Sequence, residues 1–203
     1  MRFSRTILPS ILLAALATPV AVAALAPPAL ASTQNPSAFI ETLSDKAFTI
    51  LNDKSVSRTE AKTRFRAMLL QHVAVKSIGD RLIRSRRAQI TPQQYAAYTQ
   101  ALPNYIVGVY ADRLYDYANA DLKVVRVRPV GSGYAVYSQV VQPNQARPID
   151  AIWSIAPSPN GYKITNLTVS GINMALTQEA DFSSVIQRQG FDALVQFMQS
   201  KRW

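Results

Sequence analysis

No cysteine occurs in the 203-residue chain, which excludes disulfides, thiol nucleophiles and thiolate metal sites together. Stability must come from packing. Histidine is nearly as scarce: His72 is the only one, which argues against a histidine-based metal site, and a Ser-His-acid triad would have to be built on that residue. His72 sits in the apolar pattern of Leu69, Leu70 and Val73, where it reads as a histidine on the core side of a helix. No glycine-rich phosphate loop and no dinucleotide fingerprint is present. Gly131-Ser132-Gly133 lacks the Gly-x-Ser-x-Gly spacing of a hydrolase elbow and lies between two strand-like runs, so it reads as a hairpin turn. Asp112, Asp116 and Asp150, the acids a glycosidase-like pair would draw on, are scattered over helix and strand positions.

Acidic residues are also few, 12 against 22 Lys and Arg. Arg2 and Arg5 precede an uncharged apolar run from Ile7 to Leu30, the layout of a secretory signal peptide. Ala29-Leu30-Ala31 provides the small-x-small cleavage pattern, with Ala21-Val22-Ala23 as a second site. The competing reading is an uncleaved membrane anchor. Pro9, Pro19, Pro27 and Pro28 interrupt the helix that an anchor would need. Cleavage after Ala31 leaves residues 32–203 with 20 cations and 12 acids, a formal balance of +8. Such a charge suits anionic headgroups, nucleic acid or an acidic partner, and serves solubility alone equally well. Nucleic acid is disfavoured. The cluster Arg81, Arg84, Arg86 and Arg87 is followed by Tyr95, Tyr98, Tyr105 and Tyr110 at helical spacing, which favours burial over base stacking.

After a short polar leader, Ser32 to Ser37, the periodicity predicts a helix from about Pro36 with Phe39, Ile40, Leu43, Ala47, Ile50 and Leu51 on one face. Ser57 with Glu60 reads as a capping box for a second helix through Phe65, Met68 and Leu69, and a third segment spans Val75 to Arg84 around Gly79. Thr91-Pro92 starts a long helix towards Tyr117, with a kink or break expected near Leu102 because Pro103 removes a hydrogen bond. Four strands follow, Leu122–Arg128, Tyr134–Val141, Ile149–Ile155 and Tyr162–Ser170, then helices over about Asn173–Gln189 and Phe191–Lys201 with Gly190 between them. The layout predicts an α+β fold: a twisted antiparallel sheet of about four strands, covered on one face by N-terminal and C-terminal helices. The apolar strand residues Val125, Val127, Val136, Ile152, Trp153, Ile155, Leu167, Val169 and Ile172 fit either a filled core or the wall of a pocket.

The chain resembles the MlaC-type family of periplasmic phospholipid-binding proteins, the toluene-tolerance auxiliary transport proteins. The residues that carry the resemblance are Gly79, Thr91-Pro92-Gln93-Gln94, Tyr110-Ala111 with Leu114, Ile149-Asp150 with Trp153, Gly161-Tyr162-Lys163-Ile164 with Asn166, the corner Gly171-Ile172-Asn173-Met174, Phe182, and Gly190 with Leu194. It departs from the family at Ser170, Asn173 and Glu179, where an acid, a serine and an arginine are common. With the signal peptide read over 1–31, the resemblance implies a single lipid-binding domain over 32–203, with an apolar cleft between sheet and helices. Tyr110, Leu114, Val136, Ile152, Trp153, Leu167, Val169, Ile172 and Met174 are the residues expected to line it. No catalytic residue, metal or cofactor is implied; the phospholipid is cargo. Implied partners are an inner-membrane ABC transporter with an MCE-domain subunit and an outer-membrane lipoprotein complex, with transient contact at the membrane surface. Related sequences make a hopanoid-like lipid an alternative cargo. Readings from other classes are a small periplasmic hydrolase using His72 and a protein-binding adaptor with a dry core.

Overall fold

Four of the described α-helices begin where a side chain satisfies an orphan amide, whereas Val75–Leu82 and Phe191–Ser200 have no side-chain cap. In the computed structural model, which describes residues 35–115, 119–143 and 147–201 but not the side chains of 111–115, α1 (Pro36–Asn52) starts behind Asn35, whose side chain accepts from Ser37 N at 2.9 Å. The proposed signal peptide lies outside the described residues; Pro36 and Ser37, read from the sequence as leader, are already helical. Ser57 Oγ accepts from Glu60 N at 3.2 Å to open α2 (Arg58–His72). α3 (Val75–Leu82) and a 3-10 turn at Arg87–Gln89 lead to α4 (Pro92–Tyr115). There the box closes both ways: Gln94 N donates to Thr91 Oγ1 at 3.2 Å and Thr91 N to Gln94 Oε1 at 3.0 Å. No break occurs at Leu102, because α4 runs through Pro103 as one helix. Buried Leu102 and Tyr105 on either side of the proline hold that segment in place.

The strands β1 (Asp121–Val130), β2 (Gly133–Val141), β3 (Ile149–Ser158) and β4 (Gly161–Val169) form an antiparallel meander. A short fifth strand, β5 (Ile172–Asn173), pairs with the end of β4. The sequence reading missed it because two residues are too few to show alternation. The same edge of β4, nearer its start, is closed by different means. Ala74 N donates to Ile164 O at 2.9 Å and the Arg81 guanidinium to Thr165 O at 2.7 Å. Arg81 is therefore half-buried structure, whereas Arg84 and Arg87 are exposed. Asn173 caps α5 (Met174–Gln189) by accepting from Leu176 N at 3.1 Å, and Gly190 separates α5 from α6 (Phe191–Ser200). No helix among the described residues is long and apolar enough to cross a membrane.

Two separate hydrophobic cores result. Under one end of the sheet, Phe39, Ile40 and Leu43 of α1 pack on Val136, Ile155, Tyr162 and Ile164. The second core lies among the helices and centres on Tyr98, Leu102, Tyr105, Phe182 and Leu194. Gly79 shows how close that packing is. A Cβ there would lie 2.2 Å from Leu102 Cδ2, and its carbonyl already accepts from the buried Tyr98 hydroxyl at 2.9 Å. Gly79→Ala is expected to cost about 1–2 kcal/mol, since overpacking outweighs the gain in helix propensity. Urea unfolding measures it; a variant as stable as the parent would contradict the contact.

Candidate functional site

The strand register decides which residues share a face, because directly paired residues point the same way. Val136, Trp153 and Leu167 form one transverse row, and Ser138, Ala151 and Val169 the next. Val140 and Ile149 pair one step further along β2 and β3, two residues from Ser138 and Ala151. All of these lie on the inner face, where Trp153 Nε1 donates to the buried Ser138 Oγ at 2.9 Å and holds the indole along the sheet. α1 covers the Tyr134–Ile155–Tyr162 end of this face. Beyond it, α2, α3 and α5 pack on β4, and α5 also on β5. α4 packs on α2, α3 and α6 and makes no comparable contact with any strand among the described residues. Met68 and Val73 are the two side chains that pack against both cores. Beyond them Val140, Ile149, Leu167 and Val169 are half-buried and belong to neither core. They form an apolar strip of the inner face that neither core covers among the described residues.

Of the residues expected to line a cleft, Leu167 and Val169 lie in this strip, and Trp153 lies beside it, packed against the α1 core. Val169 pairs with Ile172 across a two-residue turn in which Ser170 (φ 48°) and Gly171 (φ 81°) are both left-handed. That turn leaves Ile172 57% exposed, outside this strip, and Leu176 62% exposed beside it at the start of α5. Met174 is half-buried on the same helical face as Gln178 and Phe182, spaced four apart. Tyr110 is half-buried on α4, one turn after Ile106. The Leu114 side chain lies outside the described residues.

Two expectations change. Ile152 pairs with Tyr137 and Thr168 on the outer face, because a strand cannot direct two successive side chains to one side. That face is polar: Arg126 stacks over Tyr137 at 4.1 Å, and Gln139 donates to Asp150 at 3.1 Å. Val136 is fully buried beneath α1 and is core. Val140 and Ile149, which the sequence reading did not name as lining residues, pair on the inner face instead. The period-two series Val136, Ser138, Val140 in β2 carried the signal for the first of them.

His72 has the surroundings of a structural residue. Phe39 lies edge-on to its ring at 5.9 Å. Burial, and then the charges of Lys46 and Lys163, push its pKa below the usual 6.5. Two cations are the reverse of the carboxylate that orients a triad histidine. The unfolded chain protonates first as pH falls below 6.5, so it binds more protons than the fold and stability declines there. His72→Gln is expected to flatten this decline between about pH 7 and about pH 5, as read by urea unfolding at both values; an unchanged slope would place its origin elsewhere.

The MlaC protein family model matches residues 41–200. The chain belongs to the MlaC family. It is a family of periplasmic lipid-binding carriers, and the match runs from within α1 to the end of α6. A solved structure with the same fold is the phospholipid-binding protein from Ralstonia solanacearum, determined in complex with a phospholipid. It is 22% identical, with a TM-score of 0.70 over 83% of this chain and 97% of that one. Among curated proteins none matches the chain by sequence. Gly79, one of the residues that carried the family resemblance, is the point where α3 meets α4, and Phe182, another, is the centre of the helical core.

Proposed function

We propose that this MlaC family protein is a periplasmic carrier that takes the acyl chains of a diacyl phospholipid into an apolar cleft between sheet and helices and leaves the headgroup at the rim. The observation that carries the reading is the half-buried row Val140, Ile149, Leu167 and Val169, an apolar strip that neither core covers. Burying an acyl chain there returns about 0.8 kcal/mol per methylene, so affinity needs no charged anchor. Family membership and the phospholipid held by the Ralstonia protein support the cargo class. Entry requires only modest movement of α4 against the sheet, since few contacts join them. Residues 1–31 act as a cleavable export signal. The carrier exchanges lipid with an inner-membrane ABC transporter bearing an MCE-domain subunit and with an outer-membrane lipoprotein complex. No bond in the lipid is broken.

Native mass spectrometry of protein purified from a Gram-negative periplasm tests this. A co-purifying diacyl phospholipid is the expected mass, and a hopanoid would appear as a different one. Protein that is empty and also accepts no lipid from phospholipid vesicles would overturn the proposal.

A further inference from the structure

One turn into α5, a buried amide has an unused hydrogen-bond donor. Gln178, on α5, is 9% exposed, and its Oε1 accepts from the buried Tyr105 hydroxyl of α4 at 3.3 Å. Its Nε2 is buried with no partner. A buried unsatisfied amide costs about 1–3 kcal/mol, so a group retained in this condition calls for an acceptor.

The helical geometry indicates where that acceptor belongs. Gln178 shares its face with Phe182, one turn deeper and fully buried in the helical core, and with Met174, one turn nearer the rim and outside that core. It therefore marks the edge of the packed interior, about 5.4 Å below the first turn of α5. Leu176 in that first turn is exposed, as is Ile172 just before it. The flanking groups on the inner side are aromatic and uncharged: Tyr105 contacts the rings of Phe182 and Phe197 at 5.5 and 5.9 Å. A lone neutral amide in such a setting suits a neutral acceptor, because a phosphate would need a cation to repay its desolvation.

The geometry points to Gln178 as a specificity-determining residue that donates from Nε2 to an ester carbonyl of the bound lipid. This rests on the carrier reading above. With the headgroup at the rim, the glycerol esters stand at the top of the acyl chains, the depth at which Gln178 lies. The cleft thereby distinguishes ester-linked lipids from hydrocarbon-like or ether-linked ones, which apolar burial alone does not separate.

The test compares loading of the delipidated protein from vesicles of dipalmitoyl phosphatidylglycerol with loading from its diether analogue, identical except for the two carbonyls. Wild type is expected to favour the diester by about tenfold, the worth of one well-made hydrogen bond. Gln178→Met, of similar volume, is expected to remove the preference while still loading both lipids. Tyr105→Phe, which keeps Nε2, should retain it. A second readout does not depend on either variant folding: the Gln178 side-chain amide resonances of wild type should shift on loading with the diester and not with the diether. Equal loading of the two lipids by wild type, as a water bound to Nε2 would produce, overturns the assignment and leaves the carrier reading standing. Failure to load either lipid overturns both.

Discussion

Leu167→Glu should empty the cleft while leaving the fold intact. Leu167 pairs with Trp153 on the inner face, is half-buried, and belongs to neither core. Removing its side chain therefore opens no packed interior, and stability should change by no more than about 1 kcal/mol. Its effect on cargo is far larger. A carboxylate in that row must lose water when an acyl chain lies against it, with no cation among the described residues paired in that row, and an uncompensated buried charge costs several kcal/mol. A loss of about 2.7 kcal/mol already corresponds to a hundredfold, so phospholipid occupancy by native mass spectrometry should fall at least that far. Leu167→Met, which keeps the apolar volume, should load normally. Thermal unfolding of both variants separates lost binding from lost structure. Normal loading by a folded Leu167→Glu protein would show that chains do not lie along β4.

Phe182→Ala should produce the opposite pattern, a large loss of stability whose effect on binding follows from unfolding. Phe182 is fully buried. Its ring lies 6.3 Å from Tyr98 and 5.5 Å from Tyr105, so it joins α5 to α4 at the centre of the helical core. Truncating a buried phenylalanine costs about 3–5 kcal/mol through lost burial and the cavity left behind. That is a third or more of the roughly 5–15 kcal/mol typical of a folded domain, and the midpoint of thermal unfolding should fall on the order of 10 °C. With no disulfide in the chain, nothing covalent limits the damage. A shift of only a degree or two would mean that α5 is held mainly by its contacts with β4 and β5.

Most of the fold was legible because it rests on short-range chemistry. Asn35, Ser57, Thr91 and Asn173 stand where helices start, and each cap is made by atoms two or three residues away. The four long strands follow from β-branched runs between turn formers. Local signals failed where a distant contact decided the outcome. Pro103 marks a break by every local rule, yet α4 passes through it between the core residues Leu102 and Tyr105. Arg81 belongs to a basic cluster by sequence and to the edge of β4 by structure.

The candidate site shows the same division. The sequence by itself determined the class of the protein: the α+β order, the lack of thiol chemistry and its single histidine, and the spaced residues of the MlaC family. It did not determine which apolar residues fill a core and which line a cleft, because both demand the same side chains. Only the tertiary structure decided which of them the two cores cover. Register sent Ile152 outward, α1 closed over Val136, and the separation of α4 from the sheet left Leu167, Val169, Val140 and Ile149 half-covered. Gln178 was invisible beforehand for the same reason: an amide becomes informative only when packing buries it and leaves one of its donors without a partner.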